Sequence, residues 1–200
     1  ATIAWRRRQS SLPQAVGSEP AIPEGRPQGR LPTLKMPTAK GWAPGQTPTP
    51  APGLAVNAFA TGLKHPRWLL VLPNGDVTVA EALFTPGPPQ SIFDQAMVAT
   101  MQRAAAVGES PNRITLLRDA DRDGVAEVRD TFLEGLRQPF GMALVGSTFY
   151  VGNTDGVVAF PYEAGSTRIK AAGASLPVSF KTQGHWTRSL LSSADGRKLL

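Results

Sequence analysis

Two hundred residues with a formal net charge of +6 and no cysteine allow one domain with an appendage and exclude disulfides and thiolate metal sites. The charge is unevenly placed: up to Ala55 seven Lys and Arg face two acids, whereas residues 56–200 hold fourteen against thirteen. The remainder is nearly neutral and lacks the basic, aromatic-studded face of a nucleic-acid binder, so no nucleic-acid partner is expected, and no apolar run reaches the ~18 residues that span a bilayer.

Residues 1–53 read as a Pro-rich disordered tail or linker. Ten of the nineteen prolines fall within residues 1–52, and so broken a segment buries too little apolar surface to offset its ordering entropy. "IAWRRRQ" at 3–9 sets an apolar stretch before three arginines. It fits the flank of an export or anchor segment, with membrane anchoring through the N-terminus, or a plain basic tail. The leading Ala is expected of a processed chain or of a piece of a longer one.

From Leu54 to Leu200 the pattern changes to short β-branched runs between turn dipeptides, which predicts an all-β domain. "WLLVLPNGDVTVAEA" (68–82) carries Asn74-Gly75 between two strand-like runs, the strongest short hairpin signal. "SIFDQAMVATMQRAAAVGE" (91–109) places Phe93, Met97, Met101 and Ala104 at helical spacing, with Ser91 and Asp94 as a capping pair. It predicts a short helix inserted at about 91–108, its methionines packed on the sheets. "RITLLRDADRDGVAEVRDTFLEG" (113–135) predicts a second hairpin around Asp123-Gly124, and "GMALVGSTFYVGNTDGVVAFPYEAG" (141–165) three more strands. "SLLSSADGRKLL" predicts a last hairpin at Asp195-Gly196.

These units are alike. Gly62-Leu63-Lys64-His65-Pro66 recurs as Gly135-Leu136-Arg137-Gln138-Pro139, each time ahead of a strand, a turn and a strand. With the helix set aside, the period is that of propeller blades. The expectation is therefore about three blades, the N-terminal portion of a longer β-propeller, because fewer than four blades cannot close a ring.

Three places carry chemistry. Asp119, Asp121 and Asp123 alternate before Gly124, and Asp130 stands eleven residues after the first, the spacing of a calcium loop. Since both flanks read as strands, an ion-free acidic turn and a structural Ca²⁺ site are both open. His185, in "QGHWTRSLL", is placed to open the innermost strand of the third unit, where a propeller carries axial groups. From position alone it is either structural or a general base. Arg67 and Arg188 flank such strand starts and suit either an anionic ligand or a solvated or salt-bridged flank, while His65 reads as a loop or packing residue.

Taken together, "GLKHPRWLLVLPNGDVTVAEA", the run from Asn112 to Gly165 and "GHWTRSLLSSADGRKLL" resemble the L-sorbosone dehydrogenase family, relatives of the soluble quinoprotein glucose and aldose sugar dehydrogenases. The resemblance covers about residues 39–200. It implies a six-bladed propeller, exported and often periplasmic, that holds pyrroloquinoline quinone (PQQ) with Ca²⁺ on its axis. It also implies a sugar or sugar-aldehyde substrate and an electron acceptor such as a quinone or cytochrome. The family's general base, which takes the proton of the sugar C1 hydroxyl while hydride passes to the quinone, corresponds to His185, and Arg188 and Arg67 are its candidate cofactor contacts. The glucose enzymes have an acid just before that histidine where this chain has Gly184, which leaves room for a propeller that binds without catalysis. The loop from Asp119 to Asp130 does not correspond to their catalytic calcium site.

Overall fold

The computed structural model describes residues 38–43, 45–182 and 185–200. Of the tail expected over 1–53, residues 1–37 and 44 lie outside these residues, and so does Gly184. Among the described residues the chain forms β1 (Pro66–Val71), β2 (Val77–Glu81), α1 (Ile92–Arg103), β3 (Arg113–Arg118) and β4 (Val128–Leu133). Then follow β5 (Met142–Val145), β6 (Thr148–Gly152), β7 (Gly156–Pro161) and β8 (Ala174–Ser179).

Strands β1 to β4 and β5 to β8 each form an antiparallel meander, and the inner strands β1 and β5 lie side by side. This is the blade arrangement of a β-propeller: two four-stranded blades and, bridged between Ser192 and Leu199, the hairpin of a third. The turns sit where the dipeptides place them. Gly75 takes φ 93° and closes the β1–β2 hairpin, with its N–H on Leu72 O at 2.9 Å. In the third hairpin Gly196 N–H reaches Ser193 O at 2.9 Å.

The core lies between the blades, where Ile114, Leu116 and Phe132 of the first meet Met142, Phe149 and Val151 of the second. Phe132 and Phe149 pack edge to face at 5.2 Å. Burying each such side chain contributes roughly 1.5–3 kcal/mol. On its other side the second blade is approached closely by backbone: a Cβ on Gly141 would stand 2.3 Å from Leu190 N and one on Gly152 2.7 Å from Arg188 O. Only glycine leaves room there for residues 188–190.

The repeated pentapeptide is a repeated backbone. Gly62 and Gly135 take φ 68° and 69°, and three residues on, each just before proline, His65 and Gln138 take φ 51° and 49°. Positive φ is uncommon for residues with a Cβ, so the match reflects one loop design used twice.

One expectation is corrected. Helix α1 is capped as its sequence predicts, with Ser91 Oγ accepting from Asp94 N–H at 3.0 Å, and it lies within the first blade. Its apolar stripe, however, is not packed on the sheets: no residue of α1 is buried, and Phe93 is 71% exposed. Spacing defines a helix face but not a partner for it, and this connection touches the blade instead through the Phe84–Val107 bridge. Strand β8 was not anticipated. It carries Pro177 and is exposed along almost its whole length, which an edge strand tolerates but which hides the alternating pattern. Among the described residues no helix is long and apolar enough to cross a membrane.

Candidate functional site at the inner-strand ends

Antiparallel pairing sorts the connections between the two ends of the blades. The loops leading into β1 and β5, the β2–β3 connection and the β6–β7 turn share one end, and the β1–β2 and β3–β4 connections share the other. The sequence-predicted residues divide accordingly.

The first end gathers Arg67, His185 and Arg188. Arg67 donates from Nε to Ala82 O at 2.8 Å, and its guanidinium lies 5.6 Å from the centre of the Trp186 ring, within cation–π range. Trp186 meets Phe140 edge to face at 6.2 Å, and Phe140 meets Trp68 at 5.3 Å. One aromatic row thus joins both blades to the segment that carries His185. His185 itself is exposed. Its backbone oxygen accepts from Arg188 Nη1 at 2.7 Å; Arg188 Nη2 donates to Lys181 O at 2.6 Å, and its guanidinium lies over Phe180 at 5.4 Å. Arg188 therefore clamps the loop of His185 on backbone oxygens. Among the described residues two buried polar atoms, Arg188 Nε and Thr154 Oγ1, have no partner, and Thr154 lies in the β6–β7 turn at this same end.

Beneath Arg67 sits a residue that the sequence reasoning did not single out. Glu81, with no exposed surface, accepts from Arg113 Nε at 2.9 Å and Nη2 at 3.2 Å, from Thr115 Oγ1 and from Lys64 N–H. Burial alone would raise its pKa; the hydrogen bonds from Arg113, Thr115 and the Lys64 N–H, with the charge of Arg113, outweigh it and hold the carboxyl below its ordinary range. A polar cavity of about 510 Å³ adjoins this loop, lined by Lys64, His65, Glu109 and Arg113 among others. At the other end Asp76 is the counterpart ion pair, bound by Arg118 Nε and Nη2, both at 2.7 Å. The Arg118 hydrogen bonds keep its pKa low.

The acidic loop lies at that other end, on the β3–β4 connection. Asp119, Asp121 and Asp123 converge there with Glu127, their carboxylate oxygens within 4.8 Å of one another. The carboxylates also bind backbone: Asp119 Oδ2 accepts from Gly124 N–H at 2.9 Å and Glu127 Oε2 from Ala120 N–H at 2.7 Å. Asp130, expected as the fourth ligand, is not part of this group. It sits on β4 opposite Leu116 and pairs with Arg168 at 3.4 Å. The spacing assumed an exit that folds back over the loop, whereas here a strand carries Asp130 away, and Glu127, just ahead of β4, takes its place.

No protein-family model matches the chain, and no curated protein matches it. Among solved structures it is similar to the iodide structure of the Trichoderma reesei Carbohydrate-Active Enzymes Family AA12. The TM-score is 0.56 and the identity 19%, over 76% of this chain and 33% of that one. The holo form of the pyranose dehydrogenase PQQ domain from Coprinopsis cinerea is also similar, at TM-score 0.49 and 14% identity, over 68% of this chain and 27% of that one. At such identities the likeness is one of fold, and the chain spans about a third of the length of the Trichoderma reesei protein. Fold and site together define a β-propeller with a cationic, aromatic surface at its inner-strand ends.

Proposed function

We propose that the chain belongs to a PQQ-dependent oxidoreductase that oxidises a sugar or sugar aldehyde, with His185 as general base and a quinone or cytochrome as electron acceptor. Export, expected from the sequence resemblance, is part of the same reading. The observation that carries it is the contact of Arg67 with Trp186 at the inner-strand ends, next in sequence to His185. The name of the Trichoderma reesei neighbour, a carbohydrate-active enzyme, agrees with the substrate class.

The residues fit the cofactor. PQQ is a flat, multiply charged anion, and this end offers an aromatic ring, the Arg67 cation stacked on it, and two buried polar atoms, Thr154 Oγ1 and Arg188 Nε, with no partner among the described residues. Arg67 and Trp186 would hold it, and when bound it supplies the hydride-accepting carbonyl. The chain's own part is to place the His185 imidazole, through the Arg188 clamp, where it takes the proton of the substrate hydroxyl. Calcium is expected only from the resemblance: among the described residues the carboxylates close enough to share one ion are those of the 119–127 loop at the far end.

The test is dye reduction by the full-length natural protein loaded with PQQ and offered aldoses and sugar aldehydes. His185→Ala is expected to lower the rate by about 100-fold or more. Activity untouched by that substitution would overturn the assignment of the base, and absence of saturable PQQ binding would favour a propeller that binds without catalysis.

A further inference from the structure

The loop that presents His65 and Arg67 is tied to the end of β2 by three bonds. Lys64 N–H donates to the Glu81 carboxylate, Ala82 N–H donates to His65 O at 3.2 Å, and Arg67 Nε donates to Ala82 O at 2.8 Å. The second blade repeats the first of these, since Arg137 N–H donates to Asn153 Oδ1 at 3.3 Å. Asn153 lies just past the end of β6 as Glu81 ends β2, and Arg137 matches Lys64 in the repeated pentapeptide. The blades differ in what holds the acceptor. Asn153 is neutral, whereas Glu81 is a carboxylate fixed by Arg113 and Thr115. A neutral amide suffices where the loop only joins blades: Gln138 there donates to Leu83 O across the interface at 3.1 Å. The stronger latch stands under the loop whose arginine lies over Trp186.

We infer that Glu81, fixed by Arg113, is a positioning residue of the candidate site, holding the 64–67 loop so that Arg67 lies over Trp186 beside His185. The inference rests on the proposed function for the identity of the ligand, but not for the latch itself. A charge-assisted acceptor is roughly twice as strong as a neutral one and, once buried, admits one geometry.

Two measurements on the full-length protein test it. In equilibrium titration with PQQ, Glu81→Ala should weaken binding at least tenfold. Glu81→Gln, which keeps an acceptor for Lys64 N–H, should recover part of that loss. Asp76→Asn, which breaks the matching ion pair at the opposite end, serves as the control for stability alone and should leave binding unchanged. In amide exchange, Lys64 N–H should exchange at least tenfold faster in Glu81→Ala while Leu116 N–H in β3 is unaffected. Equal weakening by Asp76→Asn, or unchanged exchange at Lys64, would overturn the positioning role. A wild-type protein that binds no PQQ would overturn the proposed function instead, and exchange at Lys64 would still decide the latch.

Discussion

The loops leading into the two blades share a backbone and differ in what they carry. Both turn at a left-handed glycine and set a residue at φ near 50° before proline. The second blade fills this frame with Gln138, Phe140 and Asn153, and each of them serves packing: Gln138 bonds across to Leu83 O, and Phe140 lies between Trp68 and Trp186. The first blade fills it with His65, Arg67 and Glu81, two exposed basic side chains over a buried carboxylate. A frame repeated for folding holds a buried charge in one copy only, since the second copy's own ion pair, Arg137 with Asp155 at 3.0 Å, lies at the surface. That asymmetry, more than any single residue, marks where a ligand would sit.

Breaking the two latches should expose the asymmetry most strongly. Glu81→Ala leaves Arg113 and Thr115 without their buried partner; because the Arg113 side chain keeps 35% of its surface exposed, water takes up part of the loss, which is expected at or below the low end of the roughly 3–5 kcal/mol of a fully buried pair. Asn153→Ala removes a neutral acceptor, for which about 1–3 kcal/mol is expected. Urea unfolding of the two variants measures the difference, and equal losses would mean that the charge adds nothing.

A second contrast lies at the matching positions of β1 and β5. Where the first blade has Trp68 opposite Ala80, the second has Gly141 bonded to Gly152, and the space without a side chain is taken by residues 188–190. Gly141→Ala drives a methyl into backbone atoms 2.3 and 2.6 Å away, so no flexible side chain can yield. A loss of about 1–3 kcal/mol is expected, felt mainly as faster amide exchange over 188–200 with β1–β4 unchanged. Exchange that stayed slow there would mean the third segment is held by other contacts.

Much of this frame was legible because it is local. Asn74-Gly75, Asp123-Gly124 and Asp195-Gly196 each mark a turn, the capping pair Ser91 and Asp94 starts the helix, and the repeated pentapeptide announces the repeated loop. What escaped depends on distant partners. Glu81 closes an otherwise ordinary strand, "VTVAE", and its only sequence signal is a charge among buried neighbours; its partner Arg113 is 32 residues away. The exposed stripe of α1 and the departure of Asp130 from the acidic loop follow the same logic. Spacing along the chain gives a face or a distance, but the next element decides what meets it. Arg67 and Arg188 read alike in the sequence, as strand flanks; that one stacks on Trp186 while the other clamps its own loop depends on three-dimensional neighbours.

The mildest way to separate the two blades is pH. Glu81 and Asp76 have pKa values held below their ordinary 4.5 and 3.8, so in the acidic range the unfolded chain binds protons that the folded chain does not. Stability from these carboxylates is complete above those ordinary values and is lost progressively as pH falls below them, through the depressed folded values. The second blade's latch, an amide, has no such titration. Acid unfolding followed by amide exchange should therefore release Lys64 N–H at higher pH than Arg137 N–H. In Glu81→Gln the first blade should lose much of its extra acid sensitivity, keeping only the part that Asp76 supplies. If both loops opened together in the wild type and the substitution left the acid limb unchanged, the charge under Arg67 would have no separate effect on its loop, and the contrast between the blades would reduce to packing.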